Sequence, residues 1–272
     1  MIKSVEELIN IIERKDIYIF GAGFVGERFL HGLSGRGYLE HVKGFVVTNV
    51  NNREFCGEKV ISVNELQRIF DINKDYICIA THEAVKDQVE NELELLGLSE
   101  HVWIYPFLHE ICFGRPIQKN VIRSTKSLLV TYKDDYAVPI RYLAIEQFNG
   151  KNNVGYGLYI KGMNLHCSKN VANKRLETFI QLIKKWTDYG YDKKHTIKLT
   201  HEGEIIDGLH RLTLACYYNC EELICDIYHV DRYERFIDGN VRINKDKLNL
   251  FTKNEWKELE RVRQILVERI QG

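Results

Sequence analysis

The stretch EIIDGLHRLTLACYYN, residues 204–219, changes from a strand-like to a helix-like pattern and places an acid, a glycine, a histidine and an arginine at the change. A plain turn needs only Gly208 and a capping residue, so Asp207, His210 and Arg211 require another explanation. The following helix would direct unpaired backbone N–H groups at the turn. Arginine binds phosphate through paired donors, and histidine adds a donor whose charge changes near neutral pH. These residues therefore predict a phosphate-binding turn.

The carboxylate of Asp207 would repel a phosphate unless it serves a second purpose. It could hold Mg²⁺ or accept a proton from an attacking hydroxyl, which makes it a tentative metal ligand and a candidate catalytic residue. Alternatively, Asp207 only caps the helix, and the neighbouring cations are solvated. Lys174 and Arg175, near the start of the preceding amphipathic helix, could form a second phosphate clamp or a solvated face.

A second glycine-rich turn, GAGFVG, follows an apolar strand and precedes an amphipathic helix. Gly21 would permit the tight turn, Gly23 the approach of a phosphate, and Gly26 close packing of helix and strand. Thr48 and Asn49 follow the second strand, where a dinucleotide site carries an acid for the ribose. The pattern predicts either a nucleotide or nucleotide-sugar site or a loop retained for packing, and it argues against NAD.

The elements that must position these residues suggest two domains. Strand and helix patterns alternate through residues 1–115 and predict a Rossmann-like α/β domain with a parallel sheet. Residues 116–136 are expected to form a connector, and residues 137–272 a second, α+β domain. Within it, AVPIRYLAIEQF, 137–148, is expected as a strand and a turn, and GKNNVGYGLYIKG, 150–162, as a mobile loop.

Composition excludes several classes of protein. The 38 basic and 38 acidic residues cancel, which argues against a DNA-coating surface. An apolar run of transmembrane length and an apolar signal core are both missing, so we expect no membrane insertion and a cytoplasmic location. The seven cysteines lack Cys-x-x-Cys spacing and are expected to be reduced thiols. An apolar stripe on the last predicted helix would serve the core or a homodimer.

The N-terminal half resembles the Rossmann-like modules of bacterial surface-polysaccharide biosynthesis proteins. The matching segments are GAGFVG, GFVVTN, ISVNEL and YICIATHE, spread over about 110 residues. The resemblance implies a fold and a setting in polysaccharide biosynthesis, and it says little about chemistry.

The C-terminal half, from Val138 to Tyr228, resembles the ParB/sulfiredoxin-like superfamily in the order of its elements and in the turn DGLHR. Sulfiredoxins carry their nucleophilic cysteine where this chain has Leu209, and the chromosome-partitioning members carry GERR, so sulfinic-acid repair and DNA segregation are not expected. The turn is most similar to the DGHHR of the free-serine kinases. Their catalytic glutamate follows an earlier Pro-Ile segment, which VPIRYLAIE matches here at Glu146.

This resemblance implies a kinase that uses ATP or ADP with Mg²⁺. Glu146 would draw the proton from a hydroxyl of a sugar, polyol or amino acid, and Arg211 would hold the transferring phosphoryl group. Two alternatives remain open: a non-catalytic nucleotide- or nucleotide-sugar-binding regulatory protein, and an NAD-dependent oxidoreductase centred on the glycine loop.

Overall fold

The chain forms two compact units, Met1–Arg115 and Pro116–Gly272. The structure is a computed structural model, and the residues that it describes are 2–165, 167–230, 243 and 250–271. Within these ranges, no helix has the length and apolar character needed to cross a membrane. The whole is α/β, with a mostly parallel six-stranded sheet in the first unit and a smaller sheet in the second.

The sheet of the first unit has the strand order β3-β4-β2-β1-β5-β6. The pairs along β4, β2, β1, β5 and β6 are all parallel, and β3 pairs antiparallel with β4 at one edge. The strands are β1 (Asp16–Phe20), β2 (Val42–Val47), β3 (Glu54–Phe55), β4 (Glu58–Ser62), β5 (Asp75–Ile79) and β6 (His101–Trp103). Chain order reverses direction between β1 and β5, where α/β sheets form a crevice.

Helices connect these strands and cover both faces of the sheet. They are α1 (Val5–Ile12), α2 (Phe24–Gly35), α3 (Val63–Ile69), α4 (Glu83–Leu95) and α5 (Leu108–Phe113), with 3-10 turns at Leu39–His41 and Tyr105–Phe107. Side chains alternate along β1: Ile17 and Ile19 join one apolar cluster, whereas Tyr18 and Phe20 join the other. A strand buried on both faces is therefore apolar throughout, as the sequence shows.

The second unit has a mixed four-stranded sheet with the order β7-β10-β8-β9. Strand β10 pairs antiparallel with β7 and parallel with β8, and β8 pairs antiparallel with β9. The strands are β7 (Gln118–Ser124), β8 (Ile197–Thr200), β9 (Ile205–Asp207) and β10 (Glu222–Tyr228). The helices are α6 (Thr125–Leu129), α7 (Ala137–Phe148), α8 (Gly155–Met163), α9 (Lys169–Tyr189), α10 (Leu209–Tyr217) and α11 (Lys253–Gln271), with a 3-10 turn at Val130–Tyr132.

Residues 116–136 do not form the expected connector, because they belong to the second unit. Strand β7 supplies an edge of the second sheet, and α6 follows it at once with Ser124 as its N-cap. Strand β7 is mostly exposed, and even its Ile122 faces solvent. The strand therefore has few apolar residues, and its sequence resembles that of a linker. An edge strand needs fewer apolar residues than a central one.

The expected strand and turn at 137–148 is helix α7. Its first ten residues, 137–146, are all buried, so the segment has no polar face and no readable helical period. Pro139 lies in the first turn, where its missing N–H has no helical partner to lose. The helix is surrounded by protein on all sides, so its sequence is an apolar run, and that run suggested a strand.

The expected mobile loop at 150–162 contains helix α8, and its glycines serve close packing. A Cβ at Gly155 would lie far inside van der Waals distance of the Leu143 carbonyl oxygen on α7, and one at Gly162 would lie 3.0 Å from Ile140 Cδ1. The glycines therefore allow α7 and α8 to approach closely. In this segment glycine indicates contact rather than mobility.

Candidate functional site

The predicted phosphate-binding turn joins the end of β9 to the start of α10. Gly208 is the N-cap of α10 and has φ +112°, a left-handed conformation that favours glycine. A Cβ there would also lie 3.0 Å from the side chain of Ile197. Within the described residues no side chain caps the helix at this position. Backbone N–H groups at a helix start are suited to donate to an anion.

Arg211 lies in the first turn of α10 and donates to the residue before β8 and to the last residue of β9. One terminal nitrogen donates to the Thr196 carbonyl oxygen at 2.7 Å, and the other donates to Asp207 Oδ2 at 3.1 Å. The guanidinium has five donors, so these bonds leave others available. Its orientation is nevertheless set by these bonds, so Arg211 has a structural role, and its expected role as the main phosphate ligand stays a prediction.

His210 is held by aromatic side chains from two other helices. Its Nε2 hydrogen-bonds with the Tyr159 hydroxyl of α8 at 2.8 Å, and its ring lies 4.4 Å from that of Phe179 on α9. Tyr159 and Phe179 are themselves stacked, with ring centroids 5.5 Å apart. These contacts place α8 and α9 beside the first turn of α10.

Arg175 belongs to the same place, because it precedes Phe179 by one turn of α9. Its Nη1 lies 4.0 Å from Met163 Sδ, and its Nε is fully buried with no hydrogen-bond acceptor in the described part of the chain. Lys174 is half-buried at the adjacent position, and its carbonyl oxygen accepts from Thr178. The structure thus brings Arg175 and His210 together at the start of α10.

Arg141 is a functional candidate that the sequence reasoning missed. It lies on α7, is 5% exposed, and donates from Nη1 to the Ala137 carbonyl oxygen at 2.8 Å. Its Nε is buried, and no described residue supplies an acceptor for it. Burial lowers the pKa of the Arg141 guanidinium. Burial also raises the pKa of Tyr159 to about 12, against the opposing effect of Arg141 and Arg175. Both guanidiniums therefore lie near the hydroxyl that holds His210.

A signal for Arg141 was present in the sequence: it is the single charged residue within the apolar run AVPIRYLAI. A lone arginine in such a run is usually satisfied by a carboxylate when it is buried. Among the residues that the structure describes, no carboxylate forms an ion pair with Arg141 or Arg175.

Glu146, the predicted catalytic base, is not brought to the turn. Arg261 of α11 donates to its two oxygens at 2.5 and 3.2 Å, and Asn152 donates at 3.2 Å. Tyr142, one turn earlier on α7, packs against Tyr217 at the last residue of α10. Asp207 precedes the first residue of α10, and a nine-residue helix is about 13 Å long. Glu146 and Asp207 therefore lie toward opposite ends of α10.

Asp207, the tentative Mg²⁺ ligand, makes its ion pair with Arg211. Within the described part of the chain, no group of three or more histidine, cysteine, aspartate or glutamate side chains has the arrangement of a metal site. Mg²⁺ is commonly held by only one or two carboxylates together with substrate phosphates. A magnesium ion brought in by a nucleotide therefore stays a prediction for Asp207.

The glycine loop of the first unit lies between β1 and α2, as predicted. A Cβ at Gly21, where φ is +119°, would lie 2.6 Å from the Ala80 carbonyl oxygen, and one at Gly26 would overlap the Gly21 carbonyl oxygen. Packing alone thus requires two of the three glycines. Gly23, the N-cap of α2, has extended backbone and open space around it, which fits the approach of a ligand. Thr48 follows β2 and donates to Glu92 at 2.8 Å.

Comparisons of the chain with protein-family models, with curated proteins and with solved structures found no match. The resemblances to the ParB/sulfiredoxin-like superfamily and to Rossmann-like polysaccharide modules therefore stay predictions. The conclusions about function rest on the geometry of the site.

Proposed function

We propose that the second unit binds a nucleotide or another phosphate ester at the start of α10, between α8, α9 and α10. The observation that carries this proposal is the convergence of Arg175 and His210 on a helix start that no side chain of the described residues caps. Backbone N–H groups, a guanidinium and an imidazole are together the donor set that phosphate requires. Arg175 has no carboxylate partner among the described residues, which keeps its charge available for a ligand.

The non-catalytic binding alternative is favoured over phosphoryl transfer by the position of Glu146. A general base must come within hydrogen-bond reach of the acceptor hydroxyl, and the Glu146 carboxylate is engaged by Arg261 toward the far end of α10. A kinase remains the second candidate because Asp207 lies at the turn itself. In that case Asp207 would act on Mg²⁺ or on the hydroxyl of a sugar, polyol or amino acid, in surface-polysaccharide biosynthesis.

An NAD-dependent oxidoreductase has the weakest support of the three. The residues directly after β2 are Thr48 and Asn49, neither of which is an acid that could hold the ribose. Two of the three loop glycines are required by packing, so the loop alone does not call for a dinucleotide. NAD is expected to bind weakly or not at all.

Calorimetric titration of the full chain with ATP and ADP, with and without Mg²⁺, tests the binding proposal. Arg175→Gln should weaken ADP binding by roughly tenfold to a hundredfold, since a hydrogen bond to a charged group contributes about 1.5–3 kcal/mol. Lys185→Gln is the matched control, because Lys185 is exposed on the same helix. Unchanged affinity in Arg175→Gln, or no binding by the parent at millimolar nucleotide, would contradict the proposal.

The kinase candidate needs a separate measurement. Transfer of phosphate from ATP or ADP to a panel of sugars, polyols and amino acids should be followed in the parent, in Asp207→Asn and in Glu146→Gln. If Asp207 acts in transfer, Asp207→Asn should retain nucleotide binding and lose turnover by orders of magnitude. If the parent binds nucleotide firmly but transfers phosphate to none of the acceptors, the kinase candidate is wrong and only the binding function remains.

A further inference from the structure

We propose that Arg141 and Arg175 together bind a doubly charged terminal phosphate, so that the ligand of the second unit ends in a phosphate monoester. This inference rests on the proposed function and specifies its substrate class. It excludes ligands in which every phosphate is a diester, as in nucleotide-sugars, from tight binding at this site.

Arg141 carries a positive charge in the interior of the second unit. The side chain is buried, and it forms no ion pair with Asp135, the nearby acid that attracts it. An oxygen of Asp135 instead accepts from the backbone N–H groups of Ala137 at 2.7 Å and Ile243 at 3.2 Å. Arg141 itself donates to a backbone carbonyl, which satisfies one donor without neutralising the charge.

Arg175 is a second positive charge close enough to act on Arg141. Arg175 acts on Arg141 as a like charge, and both act electrostatically on the Tyr159 hydroxyl, which hydrogen-bonds with His210. Guanidinium groups stay protonated in proteins, so burial cannot discharge them. Arg141 is buried, Arg175 is half-buried with a buried Nε, and neither has a carboxylate partner among the described residues. A buried charge left without a partner is costly for the fold, and perturbed charges of this kind mark functional sites. An anion bound between the two arginines would remove the cost.

The negative charge of the bound anion should match the positive charge of the two arginines. A phosphate monoester carries about 1.5 to 2 negative charges near pH 7 and three terminal oxygens. Two guanidinium forks match that charge and those oxygens. A phosphodiester has one negative charge, so it would leave one of the two arginines uncompensated. The pair therefore selects the terminal phosphate, and His210 at the start of α10 faces the rest of the ligand.

A matched pair of probes tests this selection: ADP, and ADP-glucose, whose outer phosphate is esterified to the sugar. Calorimetry on the full chain should show ADP binding at least about tenfold more tightly than ADP-glucose. Arg141→Gln should weaken ADP binding by about tenfold or more and remove most of the preference. Arg263→Gln is the control, because Arg263 is an arginine of the same unit paired with Glu260 at 2.9 Å.

The outcomes separate this inference from the proposed function. If neither probe binds the parent, the proposed phosphate-ester function is wrong and the inference falls with it. If ADP-glucose binds as tightly as ADP, or if Arg141→Gln retains the preference for ADP, the phosphate-ester function stands and the terminal-phosphate inference is overturned.

Thermal stability gives a readout that does not depend on nucleotide. Arg141→Met without ligand should unfold at the same temperature as the parent or higher, because an uncompensated buried charge is removed. Pyrophosphate should raise the unfolding temperature of the parent and leave that of Arg141→Met nearly unchanged. A variant that is several degrees less stable than the parent would mean that Arg141 supports the fold, which overturns the inference.

Discussion

Arg211→Ala is expected to destabilise the second unit, because the arginine ties the first turn of α10 to the sheet. The substitution removes the bond to the Thr196 carbonyl oxygen at 2.7 Å and the ion pair with Asp207 at 3.1 Å. A hydrogen bond from a charged donor contributes about 1.5–3 kcal/mol. The ion pair adds only about 0.2–1 kcal/mol, because its side chains are 20% and 32% exposed and solvent screens them.

For a unit of this size, the combined loss corresponds to a fall of roughly 5–15 °C in unfolding temperature. Tryptophan fluorescence can follow this unit alone in a Trp103→Phe background, since Trp186 and Trp256 both lie in the second unit. The free energy of unfolding in urea, measured in that background, gives the magnitude directly. Nucleotide binding should weaken as a consequence of the displaced turn.

Two variants calibrate this measurement. Asp207→Asn keeps an oxygen for Arg211 and should cost under about 1 kcal/mol, the range of a partly exposed ion pair. Arg123→Ala changes an exposed arginine on the edge strand and should stay within about 0.5 kcal/mol of the parent. If Arg211→Ala unfolds like the parent but no longer binds nucleotide, Arg211 serves the ligand and the structural reasoning is refuted.

Three substitutions and one labelling experiment probe other parts of the chain. Glu146→Gln should lower stability through its lost ion pair and leave nucleotide affinity unchanged; a large loss of affinity by calorimetry would show that it reaches the ligand. Gly26→Ala should destabilise the first unit by roughly 3 kcal/mol, the upper range of overpacking. Gly23→Ser should be neutral or stabilising in urea unfolding, since serine is a preferred N-cap. Equal effects of the two substitutions on the free energy of unfolding would contradict the packing argument. At pH 8 a thiol reagent should label the exposed Cys56 and leave Cys216 unlabelled, because burial raises the pKa of Cys216 to about 12; mass spectrometry showing prompt labelling at Cys216 would disagree.

Local pattern was sufficient for the elements whose faces each have a defined environment, either core or solvent. The apolar strands β1 and β5, the glycine turn before α2 and the amphipathic helix α9 all follow from residue spacing, because one face or both faces of each element have a defined environment. Gly208 was found for a similar reason, since a glycine between a strand pattern and a helix pattern indicates a turn wherever it occurs.

Helices α7 and α8 could not be predicted in this way. A helix buried on every side carries no alternation of apolar and polar residues, so its sequence resembles that of a buried strand. The glycines of α8 look like loop residues until the neighbouring helix is in place, because their purpose is the close approach of α7.

The sequence by itself determined the α/β class of the first unit and the strand-to-helix turn at 207–211. Only the tertiary structure decided which charges act together, because side chains meet across elements that are far apart in the chain. Glu146 finds its partner Arg261 at a separation of 115 residues, and this pairing removes it from the turn. Arg141 is a similar case, since helix packing, and not spacing along the chain, brings it within electrostatic reach of Arg175 and Tyr159.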